Sequence, residues 1–171
     1  MSKRATLLEE ALDAWRDARF GFLAEAKNIP ANRWDFRPAP DTRSVMELAV
    51  HVLEVAMMMT GELTRADTDF RRARWPSLLG TYAGPAYRAK TRGELLRLLK
   101  SQHREAEKAF RAAGELHMLQ LIERFDGEMG TRLAWLHHGI AQEEYHRGQL
   151  CTYARLMGIE PALTRLIRDA G

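Results

Sequence analysis

A chain of 171 residues, 46% hydrophobic and 29% charged, is long enough to bury one core and has the balance of an ordinary globular domain. Its net charge of +3 is mild, and neither aromatic–basic interleaving nor a glycine-rich phosphate loop accompanies it, so nucleic acid is not an expected partner. A single cysteine, Cys151, excludes an intrachain disulfide and a multi-cysteine zinc site.

The beginning, "MSKRATLLEEALDAWRD", turns acidic early and lacks a signal-peptide apolar region. The most apolar stretch, "VMELAVHVLEVAMMM", is broken by two glutamates and a histidine, so no membrane span is expected. The expectation is a cytoplasmic protein forming a single domain over residues 1–171.

Helical periodicity dominates and strand signals are nearly absent. A first helix is predicted from about Leu7 to Asn28, because Leu8, Ala11, Trp15, Ala18, Phe22, Ala26 and Ile29 recur every three or four residues. Pro30 follows its end, and "NIPANRWDFRPAPDTRS" is a loop whose three prolines resist helix continuation. Ser44 with Glu47 forms a capping box that opens a second helix, running to about Leu63. That helix is apolar nearly all round, which predicts a central position.

Residues 65–90 read as a long connection with Pro76, Gly80, Gly84 and Pro85, and with a short helix expected over Arg71 to Leu79. Its basic residues, between Arg65 and Arg92, could favour an anionic partner, but a solvated linker face is the expected reading. Thr91 with Glu94 caps a third long helix reaching about Ala113, and residues 114–130 are expected to hold a turn of helix before the glycines. The fourth long helix spans about Thr131 to Met157 and ends at Gly158, with Pro161 beyond and a short terminal helix or arm. The fold class is therefore all-α, a four-helix bundle with a long connection between helices 2 and 3.

The chemistry sits on two of these helices. On an ideal wheel at 100° per residue, Gln142, His146 and Gln149 fall within about 60° of one another, with Trp135 and Tyr153 on the same strip. Ala141, Tyr145, Leu150 and Leu156 flank the strip, so it is expected to point inward. A buried amide or imidazole without a partner costs on the order of 1–3 kcal/mol, so this strip needs partners. His51 interrupts the apolar run of the second helix, with Glu47 and Glu54 about one turn to either side. A lone buried histidine is more often a hydrogen-bonded core residue than a ligand. Two imidazoles on core faces, with Gln142 one turn before His146, can instead address one ion.

Other candidates read less well. Gln142 is neutral and a weak donor. Met57, Met58 and Met59 fit core packing better than a soft-metal site. His137 is expected to face solvent, and His138 lies about 12 Å along the axis from His146, too far to share its ion. Glu143 with His146 makes one Glu-x-x-His pair, but no second copy falls in a core position, as a di-metal bundle would need. Glu47, Glu54 and Tyr153 lie near the site on the wheels, without an assigned acid–base role.

"DTRSVMELAVHVLEV" (41–55) followed by "EEYHRGQLCTYARLMGIEP" (143–161) resembles the DinB/YfiT-like superfamily of four-helix bundles. The resemblance covers essentially the whole chain and rests chiefly on "HRGQ" with a matched histidine upstream. It implies a divalent metal, zinc or nickel, held by one histidine of the second helix and an H-x-x-x-H pair of the fourth. By position these fall on His51, Gln142 and His146, so an amide stands where the family has an imidazole. The departure leaves three outcomes: a weaker metal site, Glu143 in place of Gln142, or no metal. The family's Arg and Gly of this motif match Arg147 and Gly148, which close helix packing or surface pairing explains.

Members with known chemistry are isomerases and S-transferases that use low-molecular-weight thiols such as mycothiol or bacillithiol. The resemblance thus implies a small-molecule thiol and an electrophilic substrate as partners. The contrasting expectation is a metal-free binding or stress-response bundle whose polar strip is knitted by hydrogen bonds. A homodimer through an outer helix face is a third.

Overall fold

The computed structural model describes residues 6–171; the first five, part of the N-terminal stretch considered above, lie outside the described residues. The described chain is mostly helical, with eight helices and one small hairpin: α1 (Leu7–Asn28), α2 (Val45–Thr64), α3 (Trp75–Tyr82), α4 (Gly84–Arg88), α5 (Arg92–Ala113), α6 (Glu115–Met118), β1 (Leu121–Glu123), β2 (Met129–Thr131), α7 (Arg132–Leu156) and α8 (Ala162–Ala170). Among the described residues no helix is long and apolar enough to cross a membrane.

Local chemistry sets the helix limits. Thr6 accepts from the backbone N–H of Glu9 at the start of α1, and Ser44–Glu47 and Thr91–Glu94 both form complete capping boxes. At the end of α7, Gly158 adopts φ +75°, where a side chain would be strained. The N–H of Ile159 then reaches the carbonyl of Ala154, and that of Gly158 the carbonyl of Arg155, which is the Schellman arrangement.

The four long helices form a closed circuit of contacts: α1 packs on α7 and α5, and α2 packs on α5 and α7. Every residue of the predicted α1 stripe is buried, and α2 buries residues on most of its circumference. The core continues along the helices in two clusters. One centres on Trp15, Met58, Phe70, Phe110 and Leu136, the other on Phe22, Trp34, Leu53, Leu99 and Leu150.

Two segments depart from the reading above. The expected helix at Arg71 to Leu79 is displaced to Trp75–Tyr82, with Pro76 in its first turn where the missing N–H costs nothing, and α4 follows it. Residues 119–131 contain an antiparallel hairpin, with Ile122 opposite Gly130. Asp126–Gly127 lies in its loop with Gly127 at φ +84°, a turn signal that helical periodicity obscured.

The long connection is fastened by Glu62, a wholly buried carboxylate near the end of α2. It accepts from Thr68 Oγ1 at 2.8 Å, from Tyr82 Oη at 2.6 Å, and from the Arg72 guanidinium. Burial works to raise its pKa, but these bonds outweigh that and hold the carboxyl below its usual range. Phe70 N–H donates to the Glu123 carbonyl, tying the same connection to the hairpin.

Candidate functional site

His51 of α2 and His146 of α7 meet edge to face, with ring centroids 4.9 Å apart and planes at 82°. Each ring is held by its own helix. His51 Nδ1–H donates to Glu54 Oε1 at 2.6 Å, and His146 Nδ1–H donates to Gln149 Oε1 at 2.6 Å, both three residues on. This leaves Nε2 of both rings without a protein hydrogen bond among the described residues. Glu54 is fixed in turn by Tyr87 Oη, which donates to Oε2 at 2.6 Å.

The electrostatics favour neutral His146. Burial, with His51 and Arg43 nearby adding to it, lowers its pKa to about 4 against the opposing bond to Gln149. Burial also tends to raise the Glu54 carboxyl, but His51, Tyr87 and Arg43 bring it below its ordinary value. Tyr87 is pushed up to about 12 by burial and by Glu54. Arg43 makes no side-chain hydrogen bond or ion pair among the described residues, and so stands near the imidazole pair as an uncommitted cation.

Gln142 lies one turn before His146, and both its amide atoms are buried without a partner. Leaving each such group unpaired costs about 1–3 kcal/mol, so water or a ligand is the expected partner of this amide. Because this position is an amide, no three His, Cys, Asp or Glu side chains among the described residues are arranged to hold a metal. Two imidazoles bound to one zinc at about 2.0–2.1 Å place their ring centres about 5 Å apart, so the separation of His51 and His146 fits one ion. With the buried Gln142 oxygen beside them, the residues present are compatible with a mononuclear site.

Glu143 is not available to that site, which removes the expectation that it replaces Gln142. It points the other way, 1% exposed, and accepts from Arg19 Nε at 2.8 Å, Arg19 Nη2 at 2.6 Å and Trp15 Nε1 at 2.6 Å. Arg19 also donates to the Leu99 carbonyl and to Gln102 Oε1. The inward face of α7 thus centres on Leu136, Glu143 and Leu150, and the Gln142–His146–Gln149 strip forms its edge. Ala141, Tyr145 and Leu156, expected to flank the strip from inside, are exposed.

The other candidates resolve individually. Glu47 is committed to the Ser44 backbone N–H and to Arg37, and those bonds outweigh its modest desolvation to lower its pKa. Tyr153 Oη donates to the Arg43 carbonyl at 2.9 Å, bracing the loop before α2. His137 is exposed as expected. Arg147 pairs with Glu144 and lies across Gly21, where an added Cβ would clash with its guanidinium. Gly148, by contrast, has open space around it, so close helix packing does not explain that glycine.

Two cavities lie near the site, one lined by Gln149, the partner of His146, and the other by His51 itself. One, about 700 Å³, is polar and includes Arg37, Arg43, Glu47, Gln149 and Tyr153. The other, about 200 Å³, is apolar and includes His51, Gln142, Trp75, Trp135 and Met59. His138, too far from His146 to share its ion, also lines the second cavity and packs against Trp135 in a tilted contact, ring centroids 4.6 Å apart. Trp75, Tyr87 and Arg43 escaped the sequence reading because they lie in connections whose docking no periodicity records.

These features define a mostly helical protein with a paired-imidazole site at the meeting of two core helices. The sequence profile of the DinB superfamily matches residues 9–150, and the chain belongs to that superfamily. Among solved structures it is similar to YjoA, a DinB-like protein from Bacillus subtilis. Identity is 21%, coverage is 87% of this chain and 92% of that one, and the TM-score is 0.64. That likeness concerns the fold. No curated protein matches the sequence.

Proposed function

We propose that this chain is a DinB-type four-helix bundle that holds one divalent metal, zinc or nickel, at His51, His146 and Gln142, and uses it on a small-molecule thiol and a small electrophile. The observation that carries the reading is the 4.9 Å approach of two imidazoles whose Nδ1 atoms are both tied back, leaving Nε2 on each for an ion. A bound divalent metal lowers the pKa of a coordinated thiol and so supplies a thiolate nucleophile at neutral pH.

The protein's own residues have separable roles in this proposal. Glu54 and Gln149 fix ring orientation, and Tyr87 fixes Glu54. Burial keeps His146 in the neutral form that binds metal. The polar cavity beside Gln149, with the uncommitted Arg43 at its wall, suits the hydrophilic body of the thiol. Cys151 is not that thiol, since burial and the nearby Glu25 carboxylate raise its pKa to about 11.

The test is metal content after purification without chelator. Close to one equivalent of zinc or nickel, lost in His146→Ala, supports the reading; less than about a tenth of an equivalent of any transition metal overturns it, because functional sites copurify occupied. The amide at Gln142 favours a second reading, a metal-free binding or stress-response bundle, and that reading predicts no metal-dependent rise in melting temperature.

A further inference from the structure

The apolar cavity beside His51 is a half-open cleft lined from three elements: Val55 and Met59 of α2, Trp75 of α3, and Trp135, His138 and Gly139 of α7. Its walls are braced from behind. Phe125 packs edge-on to Trp75 at 4.4 Å and against Trp135 at 5.5 Å, and Phe70 packs on both Phe125 and Trp135. The buried Glu62 fastens the connection that carries Trp75. A wall of four mutually supporting rings is a built surface, and the hairpin supplies one of its members.

Size and lining together restrict the occupant. A cavity of about 150 Å³ holds benzene, so the 200 Å³ here fits one six-membered ring with a short substituent. No Asp, Glu, Lys or Arg lines it, which disfavours a charged ligand in the metal-free protein, because a charge would be desolvated there with no opposite full charge to offset it. Indole walls favour a flat π-system through offset or edge-to-face stacking. The partnerless Gln142 amide at the same wall offers an N–H donor to an acceptor on the ligand.

We propose that this cavity binds an uncharged, single-ring aromatic compound bearing a carbonyl, with the ring between Trp75 and Trp135 and the carbonyl toward Gln142. The inference rests on the proposed function, in which this compound is the electrophile.

The chain has four tryptophans, and two serve as internal controls: Trp15 Nε1–H is bonded to Glu143 and Trp34 Nε1–H to the Ile29 carbonyl, both away from the cavity. The experiment titrates acetophenone into ¹⁵N-labelled protein, metal-free and zinc-supplied, and follows the four assigned indole resonances. Saturable shifts of Trp75 and Trp135 in both states, with Trp15 and Trp34 still, are expected. In the metal-free protein benzoate should bind about tenfold or more weakly on grounds of charge, and 1-acetonaphthone should do so in both states through overpacking.

Gly139→Leu places a side chain in the cavity, where a Cβ already approaches Met59 Cε to 3.3 Å, and should abolish the shifts. Val55→Phe does the same from α2 should the first variant fold poorly. Absence of shifts in the wild type, or shifts that survive a folded cavity-filling variant, overturns the proposal. If zinc still raises the melting temperature in that case, only the cavity inference has failed. Acetophenone shifts without any zinc effect instead remove the metal and leave a ligand-binding cavity.

Discussion

Glu143 receives two hydrogen bonds from the Arg19 guanidinium, at 2.6 and 2.8 Å, with both side chains buried in the contact between α1 and α7. The carboxylate next to Gln142 in sequence therefore belongs to the core, and the amide belongs to the site. Removing one member of a buried pair strands the other charge. Glu143→Leu is expected to lower stability by about 3–5 kcal/mol, whereas Arg19→Met with Glu143→Leu should recover most of that loss. Urea unfolding of the two variants and the wild type provides the comparison. A single variant as stable as the wild type would show that the pair contributes no net stability.

The third metal position makes a graded prediction. Replacing the amide by imidazole, Gln142→His, should tighten zinc binding, while His146→Ala should abolish it. At a hundredfold excess over Kd, zinc stabilises by about 2.7 kcal/mol, and each tenfold gain in affinity adds about 1.4 kcal/mol. Melting curves with and without zinc should therefore rank Gln142→His above wild type and His146→Ala at zero shift. A Gln142→His shift no larger than that of the wild type contradicts the assignment of this residue.

His103 and His146 predict an acid-labile fold. Burial lowers both to about 4, with neighbouring arginine charges adding at His103. The unfolded chain, with histidines near 6.5, binds more protons than the folded chain between those values. Stability contributed by the neutral rings is thus intact above about pH 6.5 and falls progressively towards pH 4. Neither His103 nitrogen has a hydrogen-bond partner, and its ring packs edge-on to Trp15 at 4.7 Å. His103→Leu is expected to flatten the stability loss between pH 6.5 and 4.5. An unchanged pH profile in that variant would assign the acid lability elsewhere.

Glu25 holds down the C-terminal helix. Its carboxylate accepts from the backbone N–H groups of Ala162 and Leu163 at 2.8 and 2.9 Å, capping α8 from α1. Glu25→Ala should cost about 0.5–2 kcal/mol locally and remove the hydrogen-exchange protection of those two amides, with amides in α2 unaffected. Protection that persists in the variant would mean the helix is held by packing alone.

The same carboxylate controls Cys151. Burial first, and then Glu25, raise the thiol to about 11, so iodoacetamide should alkylate native Cys151 slowly at pH 8. Glu25→Gln should speed the reaction. Rapid labelling of the native protein would contradict a half-buried, protonated thiol.

Legibility tracked the range of the interaction concerned. The caps at Ser44 and Thr91, the stop at Gly158 and the α1 stripe depend on residues within a few positions of one another, and each lies where the sequence placed it. The hairpin around Asp126–Gly127 was hidden because three-residue strands carry too little alternation to compete with the helical pattern on either side. The rotation of α7 differs from the wheel for a related reason. A wheel gives angles between side chains, but the direction of the core is set by the partners, and Arg19 turns the buried centre from Gln142 to Glu143.

The sequence alone determined four long helices, their ends, and an imidazole on each of two core helices, because hydrophobic period and capping are properties of the local chain. Tertiary structure alone decided that His51 and His146 stand 4.9 Å apart, that Glu143 faces away from them, and that Trp75 closes an apolar cavity beside Gln142. Those facts depend on how helices distant in sequence are rotated and docked. Packing between elements fixes that choice, and the period of any one element does not contain it.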